Sequence, residues 1–220
     1  MRTALFTFLL FLSSALLATA TDQLQFEKEM LDARSGNPEA QFTIGYRYFH
    51  EIGGTSGMSQ GINWYLKAAD KGHSIAQYAL GRCFLKGDGV DRNYEKALHW
   101  LGKAAAQKNI HADLLLNSCL AAGLGAPQDI RQGLKRLTRY AENGNIQAQE
   151  LLGTCYIYAK ALHQDIPLGY AWLQYASNQG NAHALKIFEK LCSSLTPQQI
   201  DAGKLQYTHL TRYIEAKTDR

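Results

Sequence analysis

An excess of charge of one sign is nearly missing. The 220-residue chain carries 23 Lys+Arg against 19 Asp+Glu, a formal net charge of +4. Nucleic-acid binders usually show basic stripes, so the balance gives that class no support. No apolar run follows the one at the N-terminus, so no span follows it. Compact metal-ligand spacing is also lacking. None of the seven histidines pairs with another ligand as in H-E-x-x-H or C-x-x-C. His111 and His183 precede Ala112 and Ala184 and read as a repeat position, so no metal and no cofactor is expected. No serine has lysine three residues later, which removes the S-x-x-K nucleophile. No catalytic residue is assigned, and the expectation is that the chain is not an enzyme.

Apolar residues are plentiful. Hydrophobic residues make up 46% and charged residues 19%, enough material for a buried core and far from a disordered composition. Met1–Ala20 reads as an address. Arg2 supplies a positive start, Ala4 to Leu17 is an apolar run, and Ala18-Thr19-Ala20 offers small residues for a signal peptidase. Cleavage before Thr21 is expected. The run is shorter than the ~20 residues a spanning helix needs. No cysteine follows it to carry a lipid. A periplasmic or secreted localisation is expected, with no membrane span after cleavage.

The remainder repeats. Ala40, Ala76, Ala112, Ala148 and Ala184 stand 36 residues apart. Ile44, Leu80, Leu116 and Leu152 keep that frame, as do Trp64, Trp100 and Trp172, with Arg136 in the remaining slot. Gly45, Gly81 and Gly153 keep it with Asn117 as the exception, and Gly36, Gly72, Gly144 and Gly180 keep it with Lys108 as the exception. A common phase over several residue types marks a repeat architecture.

Each unit reads as two helices. Ala40, Ile44 and Tyr48 fall on one face of the first at i, i+4 and i+8, matched by Ala76, Leu80, Phe84 and by Ala148, Leu152, Tyr156. Gly beside that face costs about 1 kcal/mol against Ala in a helix, so its recurrence predicts a close backbone approach. Turns follow at Gly87-Asp88-Gly89-Val90 and Gly123-Leu124-Gly125-Ala126, read as connections between helices and not as phosphate loops. Asn93, Asp129 and Asp165 suit the N-cap of the second helix, and Gly72, Gly144 and Gly180 suit its left-handed end. Leu24–Arg34 reads as a lone second helix and Ala182–Cys192 as a lone first helix. Thr196-Pro197-Gln198-Gln199 opens a last helix with a capping box. Leu205, Leu210 and Tyr213 are expected to cover the end of the stack.

Ala76-Gln77-Tyr78-Ala79-Leu80-Gly81, the Gly87–Val90 turn, and Lys96-Ala97-Leu98-His99-Trp100-Leu101-Gly102-Lys103-Ala104-Ala105 resemble a Sel1-like repeat, a relative of the tetratricopeptide repeat. Ala40–Gly45 and Trp64–Ala69 match equally well. The third unit departs, with Asn117 for Gly, Arg136 for Trp and Tyr140 for Ala, and the fourth has Ala159-Lys160-Ala161 in place of a Gly-rich turn. The resemblance implies an all-α fold, an α/α superhelix (right-handed solenoid) of helix pairs that mediates protein–protein interaction. It points to an exported bacterial member of the family. The expected organisation is a signal peptide over 1–20 and one repeat domain over 21–220. Its units lie near 37–72, 73–108, 109–144 and 145–180, with helical caps over 21–36 and 181–220.

Cys83, Cys119 and Cys155 share one phase, and Cys192 lies one residue out of it. Equivalent positions on stacked helices should sit about 8–10 Å apart. Disulfides rarely bridge Cα atoms beyond ~7 Å. Unpaired packing thiols are therefore expected. Cysteine-rich Sel1-like proteins carry a paired cysteine within each repeat, and this chain has no such second cysteine.

In a helical solenoid the first helices usually line the concave surface. The face opposite Ala40/Ile44/Tyr48 carries Thr43, Tyr46 and His50. The next units place there Ala79, Arg82 and Lys86, then Leu115, Ser118 and Ala122, then Leu151, Thr154 and Tyr158. These side chains vary while the core slots repeat, as a binding groove requires. Glu95 and Lys96 read as a solvated face, and the Trp slot reads as core. The leading reading is a monomeric periplasmic or secreted scaffold holding a peptide or protein partner, with no nucleic acid bound. Two alternatives stand beside it. One is a cell-wall-directed or β-lactam-hydrolysing enzyme on the same scaffold, and the other is an envelope regulator that sequesters a sensor domain.

Overall fold

The computed structural model describes residues 21–52, 54–124, 129–158 and 164–218. The expected signal segment Met1–Ala20, the turn residues Gly125 and Ala126, and Ala159-Lys160-Ala161 lie outside the described residues. All regular structure among the described residues is helical. The chain groups into two compact units, one running through Asn93 and the other starting at Tyr94.

The first unit holds a helix over 21–35 (α1), α2 (Pro38–Arg47), a π-helical stretch Tyr48–Ile52, α3 (Gly54–Asp70) and α4 (Ser74–Lys86). The second holds α5 (Tyr94–Ala106), α6 (Ile110–Ala121), α7 (Asp129–Glu142), α8 (Ile146–Tyr158), α9 (Ile166–Asn178), α10 (Ala182–Cys192) and α11 (Pro197–Thr218). The 36-residue frame and the helix pairs coincide. The departure is the π turn at Tyr48, where the expected α-helix widens by one residue before the long α3. Such turns absorb an extra residue inside a helix.

One junction joins each second helix to the next first helix. Gly36, Gly72, Gly144 and Gly180 take φ between 84° and 101°, which glycine adopts without a Cβ penalty. Lys108 takes the same conformation at φ 64°. The next residue then caps the following helix: Asn37, His73, Asn109, Asn145 and Asn181 accept from backbone N–H groups at 2.8–3.1 Å. In His73 the acceptor is Nδ1. These caps satisfy helix donors that would otherwise lack a partner. Asp165 caps α9 as expected, accepting from Leu168 N at 3.0 Å. The capping box at Thr196 is formed in both directions, with Thr196 N donating to Gln199 Oε1 and Gln199 N donating to Thr196 Oγ1.

Core slots recur as the phase predicted in the first, second and fourth units, while in the third Leu116 is half-buried and Leu114 is the fully buried residue. Ile44, Leu80 and Leu152 are fully buried on first helices, and Leu101, Leu137 and Leu173 on second helices. The recurrent glycines mark close approach. A Cβ on Gly45 would lie 3.1 Å from Gly61 O, and one on Gly153 the same distance from Gly169 O. The end cap differs from expectation. Leu210 and Ile214 are buried against the core of α8 and α9, while Leu205 is 60% exposed and Tyr213 53% exposed. The reason is spacing: Gly203, Tyr207, Leu210 and Ile214 recur every three or four residues and form the seam on α9, where the Tyr170 ring meets Gly203. Tyr213 instead donates its hydroxyl to Glu142 Oε1 at 3.2 Å, next to the Lys217–Glu142 ion pair at 2.7 Å.

Candidate functional site

The stripe assigned from sequence falls in two sets, one per unit. In the first unit, Thr43 is half-buried and donates its hydroxyl to Glu39 O at 3.0 Å. Tyr46 is exposed and its ring lies 4.4 Å from that of His50. His50, Ala79 and Arg82 do come together, around a small cavity of about 60 Å³ that Phe49, Tyr65, Cys83 and Asp88 also line. Arg82 lies 5.8 Å from the Tyr78 ring centre, the range of a cation–π contact. Lys86 is exposed at the end of α4.

In the second unit the stripe is less exposed. Leu115, Ser118, Ala122, Leu151 and Thr154 are all half-buried, and Tyr158 is exposed. Thr154 donates its hydroxyl to Glu150 O, and Leu151 packs on the core. Ser118 is brought to Cys155 of the neighbouring α8, with Oγ 4.0 Å from Sγ.

All four cysteines are free thiols, with Cys83, Cys119 and Cys155 buried and Cys192 half-buried. Burial pushes the Cys83 and Cys119 thiols up to about 12, and Cys155 up to about 11. A thiol so displaced is protonated at neutral pH and is a poor nucleophile. Among the described residues no group of three or more His, Cys, Asp or Glu could hold a metal ion. None of their helices is long and apolar enough to cross a membrane. The tryptophans pack as core-side residues, with Lys67 Nζ 4.0 Å above Trp64 and Lys103 Nζ 4.8 Å above Trp100. Glu95 and Lys96 are exposed, as a solvated face should be.

Two features escaped the sequence reading. Gly57-Met58-Ser59-Gln60-Gly61 matches G-x-S-x-G, a pattern that elsewhere presents a serine nucleophile on a strand-to-helix turn. Here the motif lies inside α3, and Ser59 donates its hydroxyl to Thr55 O at 3.1 Å. A Cβ on Gly57 would meet Tyr48 O, and one on Gly61 would meet Gly45 O, so these glycines serve helix packing. The second feature is a buried glutamine at period 36. Gln41, Gln77 and Gln149 each donate Nε2 to a carbonyl of the preceding helix. The spacing was visible, but it recurred among louder Ala, Leu and Gly signals.

Helix pairs at a 36-residue period, with all regular structure among the described residues helical, define an all-α helical-repeat solenoid. The family model for the Sel1 repeat matches residues 38–73, 74–109, 118–145 and 146–181, and the chain belongs to that family. The third match starts at 118 and so omits Asp113 and Asn117. A Sel1 repeat protein from Oxalobacter formigenes is similar in structure at 23% identity and a TM-score of 0.58, over 83% of this chain and 76% of that one. A protective antigen present in uropathogenic Escherichia coli strains, displaying an SLR fold, is similar at 26% identity and a TM-score of 0.41. That likeness covers 85% of this chain and 47% of the antigen, so this chain spans about half its length. Comparison with curated protein sequences gives no match. Sel1 repeats generally serve as protein–protein interaction scaffolds and are typically non-catalytic.

Proposed function

We propose that this protein is an exported, monomeric scaffold of the bacterial periplasm or exterior that holds a peptide or protein segment on its first helices. The segment Met1–Ala20, with Arg2 and the Ala18-Thr19-Ala20 end, supports export. Family membership supports a protein partner. The observation that carries the binding reading is the split along α4. Leu80, Cys83 and Phe84 are buried, whereas Arg82 and Lys86 are exposed on the same helix, and Arg82 lines a small cavity together with the exposed His50. A cationic, aromatic-edged surface of this kind suits an acidic segment, because Arg binds carboxylate through two parallel hydrogen bonds.

Charge reversal tests the reading. Arg82→Glu with Lys86→Glu should weaken partner capture from envelope extract by about tenfold or more, since pairs desolvated by a docked partner outweigh exposed ones. Helicity and melting should be unchanged. Glu95→Lys with Lys96→Glu, on the second helix, should leave capture intact. Capture that survives the first pair and is lost with the second makes the second-helix surface the functional one.

A further inference from the structure

The third helix pair departs from the repeat at four slots, and the four side chains meet. Asp113 stands where Gln41, Gln77 and Gln149 stand in the other units, and Asn117 replaces Gly45, Gly81 and Gly153. Arg136 replaces Trp64, Trp100 and Trp172, and Tyr140 replaces the fully buried Ala68, Ala104 and Ala176. Asn117 is 1% exposed and donates Nδ2 to Asp113 Oδ1 at 2.9 Å. The Tyr140 hydroxyl donates to Asp113 Oδ2 at 2.8 Å. Arg136 Nη1 stays 3.9 Å from Asp113 Oδ1, too far for a hydrogen bond, and its side chain is 61% exposed.

A cavity of about 450 Å³ opens between α6 and α7, lined by Asp113, Arg136, Arg139, Tyr140 and Asn143. It opens at the slot where the other units carry tryptophan and this one carries Arg136. Where tryptophan fills the slot in the first two units, a lysine three residues on lies over the ring, as Lys67 and Lys103 do. Arg139 is the third unit's counterpart of those lysines, and among the described residues no ring lies beneath it as Trp64 and Trp100 lie beneath theirs. Among the described residues its guanidinium makes no hydrogen bond and no ion pair. Arg131 and Lys135 extend the charge along the same stripe of α7, and both line a second cavity of about 440 Å³ that Arg139 also borders. The acid on that stripe, Glu142, is already engaged by Lys217 and Tyr213.

We propose that this cavity binds a carboxylate group of an acidic peptide. Two guanidinium groups one helical turn apart present planar donor forks, and Asn143 adds an amide. Asp113 sets the ligand class. Its two oxygens already accept from Asn117 and Tyr140, yet its charge disfavours a dianionic phosphate more than a singly charged carboxylate. The two arginines disfavour a cation, and the polar lining disfavours an apolar ligand. The cationic stripe on α7 attracts the acidic flanks of the peptide. The site shares no residue with the first-helix stripe and stands or falls apart from it.

Calorimetric titration of the full chain tests this with two fluorescein-free synthetic peptides. One is a C-terminally amidated tetra-glutamate, and the other is a neutral peptide with a free C-terminal carboxylate. Binding of the tetra-glutamate, alone or together with the neutral peptide, supports the proposal; binding of the neutral peptide alone assigns the site to a chain terminus and overturns the acidic-peptide reading. Arg136→Gln and Arg139→Gln should each weaken binding by about tenfold, as loss of a charge-assisted pair does. The double variant Arg136→Trp/Tyr140→Ala writes the repeat's own residues back into the slots. It should abolish binding while circular dichroism and melting show a chain at least as stable. Failure of both peptides to bind, or unchanged binding in the double variant, overturns the proposal. So does tighter binding of inorganic phosphate or of a single-stranded oligonucleotide at the same ionic strength.

Discussion

Gln149 Nε2 donates to Ala141 O at 3.1 Å, and its Oε1 accepts from Gln179 Nε2 at 3.2 Å, so both ends of a fully buried amide are used. Gln41 makes the equivalent Nε2 bond to Ala33 O at 3.0 Å, but its Oε1 is buried without a partner among the described residues. A buried acceptor left unpaired carries a desolvation penalty that its removal recovers. Gln149→Leu should therefore cost about 1–3 kcal/mol in chemical denaturation, and Gln41→Leu distinctly less. Equal losses would show that the unpaired oxygen carries no penalty. Asp113 occupies the same slot and, being an acceptor only when ionised, cannot donate to the preceding helix as the glutamines do. That single change of chemistry redirects its oxygens to Asn117 and Tyr140.

At the level of the helix, two glycines make opposite predictions. A Cβ on Gly133 of α7 would lie 2.5 Å from Asn117 O and 2.8 Å from Ala121 N, both backbone atoms that cannot swing away. One on Gly102 of α5 would meet nothing within 4 Å. Gly133→Ala should lose about 1–3 kcal/mol through overpacking. Gly102→Ala should gain up to about 1 kcal/mol from helix propensity. Thermal melting of the two variants checks both signs. The helix pairs were legible because the 36-residue phase sets both their lengths and their buried faces. The close approach at Gly45 and Gly153 was legible for the same reason. The π turn at Tyr48 was not, since it answers to a local length mismatch that no residue type announces. The seating of α11 was half legible: Leu210 was expected inside, but Ile214 shares its seam while Leu205 and Tyr213 do not. The four departures of the third unit were partly visible singly. Their convergence was not, because it depends on how α6 and α7 bring residues 113 and 140 together.

For the whole molecule, the buried ionisable groups give stability a defined alkaline edge. Cys83, Cys119 and Cys155 are raised from an ordinary 9.0 to about 12, 12 and 11, chiefly by burial. Tyr65 and Tyr156 are raised by burial as well, and Tyr140 by its hydrogen bond to Asp113. Each is neutral in the folded chain and would ionise earlier once unfolded. Their contribution is therefore fully present below the unfolded thiol value and is lost as pH rises toward the folded values. The melting temperature should hold up to about pH 9 and fall above it. Replacing the three buried cysteines by alanine should make that fall shallower. An unchanged slope would show that the tyrosines alone set the edge.

The junction between helix pairs is complete within a few residues: a left-handed Gly36, Gly72, Gly144 or Gly180, followed by an Asn or His that caps the next helix. The backbone of that joint repeats from pair to pair, while side-chain bonds such as Asn181 Nδ2 to Glu150 Oε2 and His73 Nε2 to Glu39 Oε2 tie it to the pair before it. A gene copy lacking the codons for residues 145–180 would place Gly144 directly before Asn181 and recreate the same joint, and duplication of that stretch would do so too. Copy number can thus change by recombination with the backbone of the joint preserved. A pair carrying an unusual slot set, as the third does, can be retained as a private binding element while its neighbours are gained or lost around it.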